Sequence, residues 1–352
     1  MRPHGGRITP FVVATWLTGA VALGILIYAP YQALSHSTYS AENWVDFVVF
    51  GLAQGSLYAL IALGYTLVYG ILRMINFAHG EVFMSGAFTG YFMAAALNQR
   101  GMFDGNPLLA LLLVGLVSVG TSVVIAVLLE RIAYRRLRRA PRLVPLITAI
   151  GASLFLQYTF SGLYGSSVKT YPDIPALNGS WQILGIGILK AQVVVIVSAV
   201  VLMCALYLYV QHTKTGRAMR AVSEDKDVAA LMGIDVDAII VRTFIIGGAL
   251  AGAAGLLYAI LNKQVQFYMG FQPGLKAFTA AVLGGIGNIP GAMVGGLFLG
   301  LVESLGPVLI LDGLHITRPY QLKDAIAFTL LVLILIYRPT GILGERVADK
   351  RA

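Results

Sequence analysis

The sequence predicts an all-α polytopic membrane protein, and three observations support this fold class. Hydrophobic residues make up 58% of the 352 residues and charged residues only 12%, whereas charged residues are about 25% of a soluble domain. Apolar stretches long enough to cross a bilayer recur along the chain, since a membrane-spanning helix needs about 20 residues. The formal net charge is +9, and the basic residues that cause it lie between these stretches. This distribution is typical of membrane proteins and does not indicate a nucleic-acid partner.

About ten apolar stretches are candidate spans. In chain order they cover 11–34, 47–71, 77–97, 108–130, 143–164, 188–210, 241–262, 277–287, 291–311 and 321–337. The stretch 277–287 has 11 residues, which is about 17 Å of helix at about 1.5 Å per residue. It is either a short span or a re-entrant piece, so eight spans remain an alternative to ten.

The distribution of Lys and Arg predicts that both termini are cytoplasmic. If all ten stretches cross, 18 basic residues lie in inner loops and 7 in outer loops, as the positive-inside rule expects. The strongest contribution comes from RIAYRRLRRAPR at 131–142, which anionic lipid would also attract. The loop 211–242 is then cytoplasmic. The external loop 165–187 is either a plain connector or part of a docking surface for an external partner.

The chain also divides into two halves of five stretches each, 1–187 and 188–352. Because five is odd, the second half would insert upside down relative to the first, which is an inverted-repeat architecture common among transporters. Polar residues interrupt an apolar segment in each half, with INFAHGE at Ile75–Glu81 and GGIGNIPG at Gly284–Gly291. We therefore expect a single transmembrane domain over 1–352 that contains two inverted repeats.

The charged loop 211–242 is predicted to contain a short amphipathic helix. Ser223 is the predicted N-cap, and Glu224, Asp225 and Asp227 form an acidic first turn. Val228, Leu231 and Met232 form an apolar face, and Gly233 ends the helix. No segment of the same chain is expected to cover the apolar face. The helix therefore lies either on lipid headgroups or against a soluble partner.

Polar residues at membrane depth are candidates for a translocation pathway, because such residues are costly in lipid and often functional. Five are predicted here: Gln54, Asn76, His79, Asn288 and Glu303. Helix capping is the alternative role for Asn76 and Asn288, and a structural hydrogen bond is the alternative for His79. For Glu81, a position at the inner water boundary is the alternative to a functional role in the membrane.

Enzyme motifs are missing from the sequence. It has no glycine-rich phosphate loop, no zinc-ligand spacing and no nucleophile with recognisable partners. We therefore expect no catalytic, metal or cofactor site in this chain, and uphill transport would need an ion gradient or another subunit. A stand-alone secondary carrier or channel is an alternative, although an ion-coupled carrier would carry more ionisable groups at mid-membrane.

Four segments resemble the LivH type of permease: Gly51–Phe88, residues 213–235, Ala280–Ser304 and Tyr337–Arg346. The motifs INFAHGE and GGIGNIPGA are the most specific, and the resemblance covers nearly the whole chain from about residue 47. It implies a membrane subunit of a branched-chain amino acid ABC importer in a bacterial plasma membrane. Related permeases for urea and short amides share similar motifs and are the alternative.

The resemblance also implies partners. Permeases of this type lie in the lipid membrane beside a second, LivM-like permease. Two cytoplasmic ATPase subunits and a soluble external binding protein complete the importer. In that family the loop matching 211–242 contacts the ATPase. The resemblance therefore favours a coupling role for the short helix that ends at Gly233.

Overall fold

The structure is a computed structural model. It describes residues 27–35, 39–138, 140–141, 143–183, 186–312, 314, 316, 319–338 and 340–344, together with positions 19 and 24. The described residues are mostly helical, which confirms the predicted all-α class. The first predicted span, 11–34, lies largely outside the described residues, although 27–35 are helical.

The elements follow each other along the chain with short connections. The helices are α1 (Ala41–Leu72), α2 (His79–Gln99), α3 (Met102–Gly105), α4 (Pro107–Leu129), α5 (Leu143–Tyr164), α6 (Lys190–His212), α7 (Lys214–Glu224), α8 (Lys226–Leu231), α9 (Val236–Asn262), α10 (Phe271–Gly284), α11 (Ile289–Gly306) and α12 (Lys323–Tyr337). π-helical turns follow α4 at Glu130–Tyr134 and α11 at Pro307–Asp312, and 3₁₀ turns cover Arg135–Leu137, Pro175–Leu177 and Pro319–Leu322.

Four short strands lie between the helices: β1 (Lys169–Thr170), β2 (Ser180–Ile183), β3 (Ile186–Leu189) and β4 (Gln264–Val265). β2 and β3 form an antiparallel hairpin in which Ser180 faces Leu189. β1 pairs antiparallel with β4, so that Lys169 faces Val265. The loop after α5 is therefore tied to the loop after α9.

Seven helical stretches among the described residues are long and apolar enough to cross a membrane: Ala41–Leu72, Pro107–Leu137, Leu143–Tyr164, Lys190–His212, Val236–Asn262, Ile289–Asp312 and Tyr320–Tyr337. Two further predicted spans, 77–97 and 277–287, correspond to α2 and α10, which are outside this set. α10 has 14 residues, or about 21 Å of helix. It begins six residues before the start of the predicted segment, at Phe271, and ends three residues before the end of that segment, at Gly284.

α1 lies at the centre of the bundle and contacts α11 through backbone atoms. A Cβ on Gly300 would lie 2.2 Å from Gly55 N, and a Cβ on Gly296 would lie 2.4 Å from Ala59 Cα. Any larger residue at these two positions would push the helices apart. Small residues at a spacing of four allow such an approach in membranes, and Gly296 and Gly300 have this spacing.

α9 packs in the same way against α2 and α4. A Cβ on Gly252 would lie 2.8 Å from Ser118 O, and a Cβ on Gly255 would lie 2.6 Å from Phe83 O. The Ser118 hydroxyl lies 2.7 Å from Gly86 O and 3.0 Å from Gly252 O. The glycines thus bring three helices close enough for one side-chain hydroxyl to contact two of their backbones.

α2 and α10 both begin inside the bundle, where their first turns touch. A Cβ on Gly80 would lie 2.4 Å from Gly270 O. Backbone groups at such helix starts must be shielded from lipid, because lipid offers them no hydrogen bonds. The arrangement also places Lys276 within α10 at 5% exposure. The predicted spans leave Lys276 in an outer loop, as one of the seven basic residues there. This placement is wrong, because α10 starts at Phe271, six residues before the predicted segment.

We predict that Gly300→Leu destabilises the protein and that Gly120→Leu does not. The Gly300 side chain would meet the Gly55 backbone, whereas a Cβ on Gly120 has nothing within 4 Å. Overpacking of this kind costs about 1–3 kcal/mol or more. Thermal unfolding in detergent, followed by size-exclusion chromatography, measures the difference. Equal unfolding temperatures for the two variants would contradict the assigned α1–α11 contact.

Candidate functional site

A cavity of about 610 Å³ lies at the end of the bundle where α1 begins and α9 ends. Its walls come from six helices and the β2–β3 hairpin. Its lining includes Asp46, Phe47, Phe50, Gln54, Tyr58, Tyr258, Lys276, Glu303 and Lys323. Two of the five predicted pathway residues, Gln54 and Glu303, are thus brought together here.

Glu303 is the centre of a buried ion-pair network beside this cavity. Its Oε1 accepts a hydrogen bond from Lys276 Nζ at 2.6 Å and lies 3.3 Å from Lys323 Nζ. Its Oε2 accepts a hydrogen bond from the Tyr58 hydroxyl at 2.7 Å. Asp324 Oδ1 completes the network at 2.8 Å from Lys276 Nζ. The four charged side chains therefore link α10, α11 and α12.

Sequence reasoning missed the partners of Glu303. Lys276 and Glu303 are both less than a tenth exposed, and a lone buried charge of either sign would be strongly unfavourable. A lone lysine inside the apolar sequence FQPGLKAFTAAVLG was the available signal. The predicted segment begins at residue 277 and therefore leaves Lys276 in a loop, whereas α10 begins at Phe271.

Asn76 and His79 lie in helix packing contacts. A Cβ on Gly64 would lie 2.1 Å from His79 Nε2, so the imidazole occupies the space that a side chain on α1 would need. Asn76 Oδ1 accepts a hydrogen bond from the Tyr134 hydroxyl at 2.7 Å. The capping role expected for Asn76 is wrong, since Ala78 precedes α2 and makes no side-chain cap.

Glu81 is buried at 1% exposure, so the alternative position at the water boundary is wrong. Its Oε1 accepts hydrogen bonds from Gln157 Nε2 at 2.7 Å and from Ser153 Oγ at 3.1 Å. Ser153 and Gln157 line a second cavity of about 610 Å³. The two cavities share three wall residues, Tyr258, Gln272 and Pro273, which therefore separate them.

Asn288 caps α11, as the sequence predicts. Its Oδ1 accepts a hydrogen bond from Gly291 N at 2.9 Å, and the helix begins one residue after it, at Ile289. Asn288 Nδ2 also donates to Leu343 O at 2.9 Å. Ile342 N donates to Leu283 O at 2.7 Å in the same region. Asn288 therefore holds the chain after α12 against the turn between α10 and α11.

The short helix in the charged loop is α8, and its N-cap differs from the predicted one. Asp225 Oδ1 accepts hydrogen bonds from Asp227 N at 2.9 Å and Val228 N at 3.0 Å. Ser223 instead lies within α7, where its hydroxyl donates to Arg220 O at 2.7 Å, and Glu224 is the last residue of α7. The predicted Ser223 cap is wrong because the preceding helix continues through it.

The end of α8 and its exposed face are as predicted. Gly233 has a φ of +81°, and Ile234 N donates to Ala229 O at 3.1 Å, which is a glycine-terminated helix end. Val228, Leu231 and Met232 are 54%, 87% and 77% exposed. The described part of the chain leaves this apolar face uncovered.

Basic residues surround the base of α8. Arg73 Nη2 donates to Ser223 O at 2.9 Å, which ties the end of α1 to the loop. Burial, together with the nearby Arg138 and Arg73 guanidinium groups, lowers the pKa of Lys226. Arg138 also pairs with Glu130 and Asp237. α7 thus contacts the end of α1, and Lys226 of α8 lies in the electrostatic field of Arg138, which also joins the turn after α4 to α9.

A family model described as "Branched-chain amino acid transport system / permease component" matches residues 47–335. The chain belongs to this permease family. The match covers the cavity lining except Asp46, and it covers both broken segments and α8.

Curated permeases agree with the assignment. The high-affinity branched-chain amino acid transport system permease protein LivH of Escherichia coli K12 is 43% identical over 305 residues, which are 85% of this chain and 95% of LivH. BraD of Pseudomonas aeruginosa is 43% identical over 311 residues, 88% of this chain and 98% of BraD. A probable LivM of Methanocaldococcus jannaschii is 27% identical over 345 residues, 93% of this chain and 94% of that protein.

One solved structure is also similar, an inward-facing conformation of a putative metal-chelate type ABC transporter. It is 15% identical with a TM-score of 0.45, and the match covers 91% of this chain and 99% of that chain. As a member of the branched-chain amino acid permease family with seven candidate spans, the chain is an inner-membrane permease and a transporter subunit.

We predict that Asn288→Ala and Asn288→Asp have different effects. Alanine removes both the cap and the bond to Leu343, and loss of a cap costs about 0.5–2 kcal/mol. Aspartate keeps an acceptor for Gly291 N but has no donor for Leu343 O. Both variants should speed amide hydrogen exchange at Ile342 and Leu343, and only alanine should speed it at Gly291. Wild-type exchange at Ile342 in both variants would contradict the tether.

Proposed function

We propose that this chain is the membrane-spanning permease subunit of an ABC importer that translocates leucine, isoleucine and valine. The observation that carries the proposal is the 43% identity to LivH over 95% of its length. A second, LivM-like permease, two cytoplasmic ATPase subunits and an external binding protein complete the importer. ATP hydrolysis takes place in the ATPase subunits.

The proposed topology is the one that the charges favour, with both termini cytoplasmic and about ten segments in a single domain over 1–352. Two inverted repeats, 1–187 and 188–352, form this domain. Two features support the orientation. The basic turn Arg135–Leu137 lies near the coupling loop 211–242, since Arg135 pairs with Asp237 at 3.0 Å. The charged cavity lies at the opposite end, beside the β2–β3 hairpin.

α8 is the proposed coupling helix. Its three exposed apolar side chains, Val228, Leu231 and Met232, would enter a groove on the ATPase. The acidic residues Glu224, Asp225 and Asp227 would face basic residues there. Ser223 contributes through its backbone carbonyl, which Arg73 binds. Apolar side chains inserted into a partner's pocket commonly dominate binding energy.

α1 connects this loop with the cavity. Gln54 lines the cavity, and Leu72 ends the same helix about 27 Å away at about 1.5 Å per residue. Arg73 then contacts the loop. A displacement of α8 by ATPase closure would therefore reach the cavity walls through one helix. In the proposed pathway Gln54 and Glu303 face the substrate, whereas Asn76, His79 and Asn288 hold the helices in position.

Reconstitution tests this function. We expect liposomes that contain both permeases and both ATPases to accumulate leucine when ATP and the binding protein are supplied. Uptake of urea or a short amide, without uptake of leucine, would contradict the proposed substrate and indicate the urea and amide type of permease. Leucine flux through this chain alone, without ATPase subunits, would instead indicate a secondary carrier or a channel.

We predict that Leu231→Asp uncouples the importer without unfolding this chain. Leu231 is 87% exposed, so the substitution loses little packing within the subunit. A charge placed in an apolar docking contact should lower ATP-driven leucine uptake by about tenfold or more. Lys214→Ala, at the exposed start of α7, serves as the control and should leave uptake unchanged. Normal uptake by Leu231→Asp would exclude α8 as the coupling helix.

A further inference from the structure

The charged cavity between α1, α10 and α11 has a composition that suits one kind of ligand. Four charged side chains line it, two of each sign: Asp46, Glu303, Lys276 and Lys323. The lining is therefore neutral as a set. Ionisable groups inside a membrane protein are costly and usually serve transport or binding. A neutral lining that carries both signs matches a ligand that also carries both signs.

Hydrogen-bonding capacity remains unused around this cavity. Gln54 Oε1 is a buried acceptor without a hydrogen-bond partner, whereas Asp324 Oδ1 lies 2.8 Å from Lys276 Nζ as an ion pair. An ammonium group has three donors, and Lys276 Nζ pairs with Glu303 Oε1 and with Asp324 Oδ1, which leaves one donor for a ligand. Acceptors for a ligand ammonium and donors for a ligand carboxylate are thus available together.

The rest of the lining is suited to an aliphatic side chain. Phe47, Phe50 and Tyr258 supply aromatic surfaces, and Pro273 adds a further apolar wall. The volume of about 610 Å³ lies within the usual range of small-molecule sites, about 300–1,000 Å³. The cavity can therefore take a molecule with one doubly charged end and one apolar end.

We propose that this cavity binds the zwitterion of an aliphatic α-amino acid during translocation. Lys276 and Lys323 bind its carboxylate, while Glu303 and Gln54 Oε1 bind its ammonium group. The proposal rests on the proposed function and adds the place and the chemistry of recognition within this subunit. It also explains why charges are retained in α10 and α11, where an apolar pair would pack at lower cost.

A purely structural role makes the opposite prediction. Replacing a buried ion pair by uncharged residues of similar size is often neutral or stabilising. Lys276→Met combined with Glu303→Gln removes one charge of each sign and keeps an acceptor for Tyr58. If the network only holds α10 to α11, this double variant should transport normally.

The test uses the complete importer in liposomes. We expect the double variant to assemble, to keep binding-protein-stimulated ATPase activity and to lose leucine uptake by about tenfold or more, as for loss of charge-assisted hydrogen bonds. Arg100→Met combined with Asp104→Leu also removes one exposed charge of each sign and should transport normally. Normal uptake by Lys276→Met/Glu303→Gln beside an active wild type overturns the proposal. A wild type that imports no amino acid overturns the proposed function instead.

A second measurement covers a double variant that fails to assemble. A ligand that binds only the folded state raises the unfolding temperature. In the purified wild-type importer without binding protein, leucine should raise this temperature. Leucinamide, which lacks the carboxylate, and 4-methylpentanoate, which lacks the ammonium group, should not. No stabilisation by leucine, or equal stabilisation by all three compounds, overturns the proposed site.

Discussion

The close contact between α1 and its neighbours is the constraint on which the rest of the structure depends. A Cβ on Gly300 would meet Gly55 N at 2.2 Å, and a Cβ on Gly64 would meet His79 Nε2 at 2.1 Å. Lipid offers little hydrophobic driving force between helices, so association depends on packing and on interhelical hydrogen bonds. Glycines allow this close packing along most of α1. Because α1 is enclosed in this way, one of its ends can form a cavity wall while the other contacts the loop that carries α8.

The two broken segments follow from the same packing. α2 and α10 begin within the bundle, and their first turns meet at Gly80 and Gly270. Non-helical backbone is tolerated at membrane depth only where protein or a water-filled cavity surrounds it. Protein surrounds the backbone here, since Gly80 and Gly270 are buried, and Gly270 also lines the second cavity. The short α10 then leaves room for Lys276 to reach Glu303 instead of lipid.

The proposed sites of recognition and coupling lie at opposite ends of one subunit. The cavity carries its charges in a buried network, whereas α8 presents apolar side chains outside the bundle. Each arrangement is unfavourable for an isolated subunit, because charges are costly in the interior and apolar side chains are costly in water. A substrate and an ATPase subunit would each relieve one of these costs. The Arg73 contact with Ser223 O joins α1 to the loop that carries α8.

Local signals in the sequence determined the membrane class, the Asn288 cap and the Gly233 stop, since each depends on residues within about one or two helical turns. The sequence also placed Gln54 and Glu303 as pathway candidates. Tertiary structure alone decided their partners. Lys276 and Glu303 are 27 residues apart, and Gln157 and Glu81 are 76 apart. It also decided that Asp225 and not Ser223 caps α8, because α7 runs through Ser223. Contacts between distant residues depend on how helices cross, and no local pattern of side chains contains that information.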